Sequence, residues 1–232
     1  MMRQKPMIQS FGGEEGVPMK SKIMITLALI FILRDPCNAQ WIRAFGFKAG
    51  GIQASQTWEY SGWLSGMQIY DQARTGWSIG GYVEWLNTPL ISVITEVQYL
   101  QKGAKEEINI STVENPEGSG ETMSLAPRLD YVSIPLLAKI RTKTSQATLY
   151  GLGGPTIDFL KSHNEQATGA VFSEIKSPEL GIAMGAGLDF PIISQCTLGA
   201  EFRYRSALQY AYSNSVLTVR NTAIEFLLTV GF

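Results

Sequence analysis

From residue 40 onward the chain alternates. Apolar and polar positions change places every second residue through stretch after stretch, and no segment there keeps a 3.6-residue period. The stretches are bounded by Gly, Pro, Asn and Ser. They predict eight strands, at about 43–55, 75–87, 90–102, 128–141, 147–159, 178–190, 195–207 and 221–232. Each has the roughly 9–11 residues that a tilted strand needs to cross a bilayer. The connections alternate too. Long polar segments follow the first, third, fifth and seventh strands, at about 56–74, 103–127, 160–177 and 208–220. Short turns follow the second, fourth and sixth: Asn87-Thr88-Pro89, residues 142–146, and a few residues around Pro191. Long loops at one end and tight turns at the other are the asymmetry of an outer-membrane barrel. An even strand number places both ends of the domain on the turn side, the periplasm.

The two parities of each strand differ in charge. The second offers Trp77, Ile79, Gly81, Val83 and Trp85 against Ser78, Gly80, Tyr82 and Glu84. The seventh offers Leu198, Ala200, Phe202 and Tyr204 against Gly199, Glu201, Arg203 and Arg205. Lys48, Glu84, Glu96, Lys139, Arg141, Asp189, Glu201, Arg203, Arg205 and Glu225 all fall on the less apolar parity. A Lys or Arg facing lipid at mid-bilayer costs about 2–4 kcal/mol. In a narrow lumen the same groups can pair, which offsets their desolvation. The apolar parity therefore faces lipid and the charged parity faces inward. Asp130 is on the outward parity, near the loop end, where that cost falls toward zero. Leu149, Ile157 and Phe159 are read as outward on the fifth strand. Trp77 and Trp85 stand roughly 20 Å apart along the membrane normal, the spacing of two aromatic girdles. Tyr99 and Tyr204 join the loop-side girdle; Phe45, Phe190 and Phe232 join the periplasmic one. The last strand closes the sheet on the first, because an open edge in lipid costs several kcal/mol per group.

Composition adds little that the alternation lacks. The formal net charge is -1 and 17% of residues are charged, so nothing points to nucleic acid. Ile23 to Leu33 is the longest apolar run, too short for a spanning helix. Lys20 and Lys22 precede it, and Cys37-Asn38-Ala39 follows it, the pattern of a signal peptide cleaved after Ala39. Met19 is the expected start. The organisation is then an upstream extension at 1–18, a signal peptide at 19–39 and an eight-stranded antiparallel up-and-down transmembrane β-barrel, all-β, at 40–232. Cys196 alone remains after cleavage and forms no internal disulfide. The paired glycines Gly50-Gly51, Gly80-Gly81 and Gly153-Gly154 are read as relieving barrel curvature. One histidine and one mature cysteine make no usual zinc set, no phosphate loop is present, and no cofactor is expected.

"FGFKAGG" at 45–51, "LDYVSIPLLAKI" at 129–140, "LYGLGGPTIDF" at 149–159, "ELGIAMGAGLDF" at 179–190, "LGAEFRYRSAL" at 198–208 and "LLTVGF" at 227–232 together resemble PorT-like, OmpA-superfamily outer-membrane β-barrel domains of the Bacteroidota type. The resemblance covers essentially 43–232. It implies an eight-stranded barrel in the outer membrane. It also implies insertion by the barrel-assembly machinery, which recognises a C-terminal strand ending in an aromatic residue, here Phe232. One member type takes part in type IX secretion. The resemblance brings no catalytic motif.

Three functions remain. The first is a non-enzymatic surface barrel whose loops bind partners or whose wall supports an envelope or secretion assembly; polar loops such as 102–127 on a rigid scaffold suit that role. The second is a small pore, which inward ion pairs in an eight-stranded barrel argue against. The third is a lipid hydrolase or acyltransferase built on His163, with Ser162, Asp158 and Glu165 nearby; it needs a nucleophile and base within hydrogen-bond reach. A soluble lipocalin-like barrel needs an apolar lumen, which the charge parity does not offer.

Overall fold

The computed structural model describes residues 41–232 apart from 68, 87, 111–121, 145, 165–173 and 194. The upstream extension and signal peptide lie outside the described residues, as do Asn87, Glu165 and the middle of the 103–127 and 160–177 connections.

Period-2 alternation becomes strand throughout. The long strands are β1 (Ile42–Tyr60), β2 (Gln72–Trp85), β3 (Ile91–Asn109), β5 (Arg128–Lys143), β6 (Thr148–His163), β7 (Glu179–Ile193), β8 (Cys196–Ala207) and β10 (Leu217–Gly231). Short β4 (Thr122–Leu125) pairs with β3, and β9 (Tyr212–Ser213) with β10. The eight long strands run antiparallel to their neighbours in chain order, and β1 pairs with β10, which closes the sheet. That seam runs from Gly46 opposite Gly231 to Tyr60 opposite Leu217. At its foot Phe232 N–H donates to the Phe45 carbonyl at 2.8 Å, and Phe45 N–H donates back to the Phe232 carbonyl at 3.1 Å. Closure on the first strand is as the alternation requires: no ladder edge of a spanning strand is left to lipid.

The strands overrun their predicted ends on the loop side. β1 continues to Tyr60, β3 to Asn109 and β6 to His163, while β2 starts at Gln72 and β10 at Leu217. The physical reason is the solvent. Gln53, Ser55, Thr57 and Glu59 occupy the outward parity of upper β1, while Ile52, Ala54 and Trp58 stay buried inward, so above the membrane the outward face turns polar and the lipid-facing half of the alternation is lost. The backbone ladder does not depend on it and continues.

Glycine allows the tight wall. A Cβ on Gly80 would stand 2.4 Å from the Val97 carbonyl oxygen, and one on Gly154 would stand 2.2 Å from that of Leu136. Their partners in the sequence pairs, Gly81 and Gly153, meet nothing closer than 3.5 Å. One member of each pair is thus required by strand approach, which refines the expectation that the pairs act as units.

Candidate functional site

The lumen is built from the inward parity of every strand, and it is full. An apolar layer of Ile94, Leu137, Tyr150, Leu152 and Ala183 lies toward the turn side. A larger one, with Ile52, Trp58, Leu100, Leu129, Tyr131, Leu217 and Val219, lies toward the loops. Charged layers lie below, between and among them.

Nearest the periplasm, Glu84 accepts from Arg43 at 3.0 Å and Lys139 at 3.4 Å, and also pairs with Arg141. Lys139 holds Asp189 at 2.9 Å and lies over the Tyr150 ring. In the middle, Lys48 Nζ is 2.6 Å from Glu96 and 2.8 Å from Glu201. These three belong to β1, β3 and β8, which are not all neighbours in the wall, so the contacts cross the interior. Arg203 forks onto Glu96 at 2.8 and 3.0 Å and also holds Glu201. Arg205 donates to Glu225 at 2.7 Å and to Ser133 at 2.9 Å. Each buried charge therefore meets an opposite charge in good geometry, the condition under which burial is tolerable.

All ten residues assigned inward from parity lie here, each with an oppositely charged partner. The outward set holds as well. Leu149, Ile157, Phe159, Phe190, Phe202 and Tyr204 are exposed to the lipid side. Trp77 stacks on Tyr99 with ring centroids 4.8 Å apart, and Phe45 meets Phe232 at 5.9 Å. Trp85 uses its indole N–H to reach Thr95 Oγ1 at 2.8 Å. Asp130 keeps its outward parity yet is buried. It pairs with Arg128 at 3.2 Å and accepts from Ser162 at 3.1 Å, so neighbours on the wall cover it.

The set of inward charges omits one layer, although parity sets Glu179 opposite the apolar face of its strand. Near the loop-side mouth Lys102 holds Asp158 at 2.5 Å and Glu179 at 2.6 Å, with Asn221 donating to Glu179 and Gln56 to Asn221. The signal was present: Lys102 shares the parity of Glu96 and Gln98, Asp158 that of Thr156, and Glu179 that of Gly181. These residues fall at or near the predicted strand ends, where the pattern was thinnest. The crevice beside them, lined by Thr156, Arg205 and Ser206 among others, leaves no room for a water molecule.

Among the described residues the hydrolase set does not assemble. Asp158 points into the lumen onto Lys102, while Ser162 lies on the opposite side of the wall and donates to Asp130. His163 is exposed at the top of β6, its backbone opposite Leu129. Cys196 is a free thiol at the foot of β8. Among the described residues no group of three His, Cys, Asp or Glu side chains is placed to hold a metal.

A family model described as an outer membrane protein beta-barrel domain matches residues 38–211. Among curated proteins none matches this chain. Several solved structures are similar to this chain at low identity. Ail, the attachment invasion locus protein of Yersinia pestis, is 16% identical, with 82% of this chain and 98% of that one covered and a TM-score of 0.39. Neisserial surface protein A is 14% identical, with 82% and 99% covered and a TM-score of 0.40. The outer membrane protease OmpT from Escherichia coli is 6% identical, with 86% and 99% covered and a TM-score of 0.47.

Proposed function

Because the chain belongs to the outer membrane protein β-barrel domain family and resides in the outer membrane, we propose that it is a sealed, non-enzymatic scaffold whose loop-side strands engage a protein partner. Two features support this. The lumen is packed from end to end with ion pairs and apolar side chains, which suits a support better than a conduit. The strands also project beyond the lipid and carry apolar side chains into water.

Trp63 is the observation that carries the reading. It sits on a 3-10 turn, Gly62–Leu64, at the summit between β1 and β2, and is 91% exposed. Met67 nearby and Leu208, Tyr210 and Val216 near the other seam strand are exposed too. Tryptophan held out in water on a rigid support is the residue type that most often anchors a protein interface. The resemblance stated above extends this to a PorT-like barrel of the Bacteroidota type, serving an envelope or secretion assembly. In that reading a signal peptide is removed after Ala39, and the barrel-assembly machinery reads the strand that runs to Phe232.

Affinity capture of the intact protein from outer membranes tests the proposal. Two parallel captures use Trp63→Ala and a deletion of 103–127. A partner held by the wild type and lost from either variant supports the reading. The same partners on all three chains would assign binding to the wall rather than the loops.

A further inference from the structure

Outside the lumen, where β2, β3 and β5 meet on the loop side, cations gather on the lipid-facing wall. Arg128 and Asp130 share the β5 parity of Ile134, Leu136 and Ile140, all exposed to lipid. Arg128 Nε lies 3.2 Å from Asp130 Oδ1, and its side chain is 40% exposed. On the neighbouring strands the β2–β3 ladder breaks between the Ala73–Ala104 and Ser78–Leu100 pairs. Arg74 sits in that break. Its Cδ passes over Gly103, where a Cβ would stand only 3.2 Å away, and Gly103 is the β3 partner of Arg128. The Arg74 guanidinium is within Coulombic reach of Arg128, Asp130 and Tyr99. Its Nη1 is shut off from solvent and finds no acceptor among the described residues.

A second irregularity adds a third cation. Between β5 and β6, Asp130 pairs with Ser162 but Tyr131 pairs with Leu160, so Lys161 is squeezed out of the ladder and exposed. Bulges re-aim side chains in this way. Lys161 thus stands one residue from Ser162, the donor to Asp130, and that carboxylate is already occupied by Arg128 and Ser162. The depth is set by the rings below. Tyr99, stacked on Trp77, is opposite Val132. Arg128 is four residues higher, roughly 10 Å at ~3.3 Å per residue and a tilt near 40°. Aromatic girdles mark the boundary of acyl chains and headgroups, so the guanidinium groups stand at headgroup level.

We propose that Arg74, Arg128 and Lys161 form a binding site for the phosphoryl headgroup of an outer-leaflet lipid. Guanidinium forks match phosphoryl oxygens. A lipid, unlike free phosphate, also lays its chains along Val132, Ile134 and Leu136 directly beneath. The membrane-embedded ligand is therefore the one this surface selects.

The test uses the full chain in nanodiscs of zwitterionic phospholipid, titrated with diphosphoryl lipid A and followed by native mass spectrometry. Arg128→Gln weakens binding by about tenfold, the loss of one charge-assisted contact. Arg74→Gln with Arg128→Gln weakens it by on the order of 100-fold if the two contacts add. Arg220→Gln removes a β10 cation stacked on Tyr210, separated from Arg74 by the width of β1, and leaves binding unchanged. Lipid A stripped of phosphate binds like the double variant, and inorganic phosphate displaces nothing at micromolar concentration. A heat-dependent gel shift confirms that each variant has closed, and Arg128→Gln keeps an amide donor beside Asp130 at a half-exposed position. Equal binding by the double variant, or an equal loss in Arg220→Gln, overturns the site. Displacement by micromolar inorganic phosphate overturns the lipid as its ligand.

Discussion

At the scale of single residues the wall sorts side chains by what surrounds them, and two pairs of substitutions measure the sorting. Arg203 is fully buried and grips Glu96 and Glu201, with Glu225 at 3.9 Å. Truncating it to Ala leaves buried carboxylates without their counter-charge, a change that costs about 3–5 kcal/mol. Denaturant unfolding of the refolded barrel in lipid reads this as a lower midpoint. Asp189→Asn at the periplasmic rim costs far less, about 0–1 kcal/mol, because water reaches that carboxylate and screens its pair with Lys139. Equal losses from the two changes would mean that the middle layer is as wet as the rim. The opposite face gives the second measurement. Leu136 is lipid-facing near mid-wall, and Leu136→Arg there costs about 2–4 kcal/mol, whereas Gln53→Arg, above the lipid on β1, is close to neutral. These assignments were legible in the sequence because lipid and lumen impose opposite preferences on alternate positions, so charge parity alone settled Lys48, Glu96, Glu201 and Arg203. Lys102, Asp158 and Glu179 were not gathered into one layer because each stands near a strand end, where one residue cannot show a period. The pairing of Lys102 with β6 and β7 is a property of the closed ring and is not visible along any one strand.

At the scale of elements, the number of strands and their turns could be read directly, while the upper strand ends could not. Alternation ends where lipid ends, but hydrogen bonding runs on, which is why β3 outlasts its predicted limit by several residues. The extension and the spanning part should therefore respond differently to damage. Glu106–Asn109 of β3 pairs with Thr122–Leu125 of β4 alone, above the membrane. Deleting 106–125 and joining the ends through a short Gly-Ser link removes that ribbon and leaves the barrel closed, since a lone two-stranded ribbon adds little stability. The melting temperature in detergent stays within a few degrees of the wild type, by an effect of about 1 kcal/mol or less. Leu227→Pro is the contrasting case. Leu227 is fully buried and lies opposite both Gly50 of β1 and Glu201 of β8, so the seam passes through it. Proline there removes a ladder hydrogen bond inside the membrane and costs about 3 kcal/mol or more. Folding assays by heat-dependent gel shift then show unclosed chain. A Leu227→Pro variant that closes as the wild type does would remove β10 from its place as the seam strand.

At the scale of the whole molecule the layers act in series, and that decides what the lumen can conduct. Ions entering from the loop side meet Trp58, Tyr131 and Leu217, then Lys102 with Asp158 and Glu179. Next come the Lys48, Glu96, Glu201 and Arg203 layer, then Leu137 and Leu152, and finally Glu84 with Lys139 and Arg141. A pathway is only as open as its tightest layer, so loosening one does not make a channel. Wild-type protein in planar bilayers at neutral pH is accordingly silent. The sharper expectation concerns Lys48→Ala with Glu201→Ala. That double change removes one cation and one anion, keeps the lumen neutral, and leaves Arg203 paired with Glu96, so it hollows the middle layer without stranding a charge. Its conductance stays at background, because the loop-side and periplasmic ion layers still close both ends. Adding Lys102→Ala with Asp158→Ala thins the loop-side layer as well, and the periplasmic layer becomes the remaining barrier. Stable, reproducible channels from the wild type, or from the first double variant, would show that the pairs rearrange to admit water, and a conducting role would then replace the scaffold.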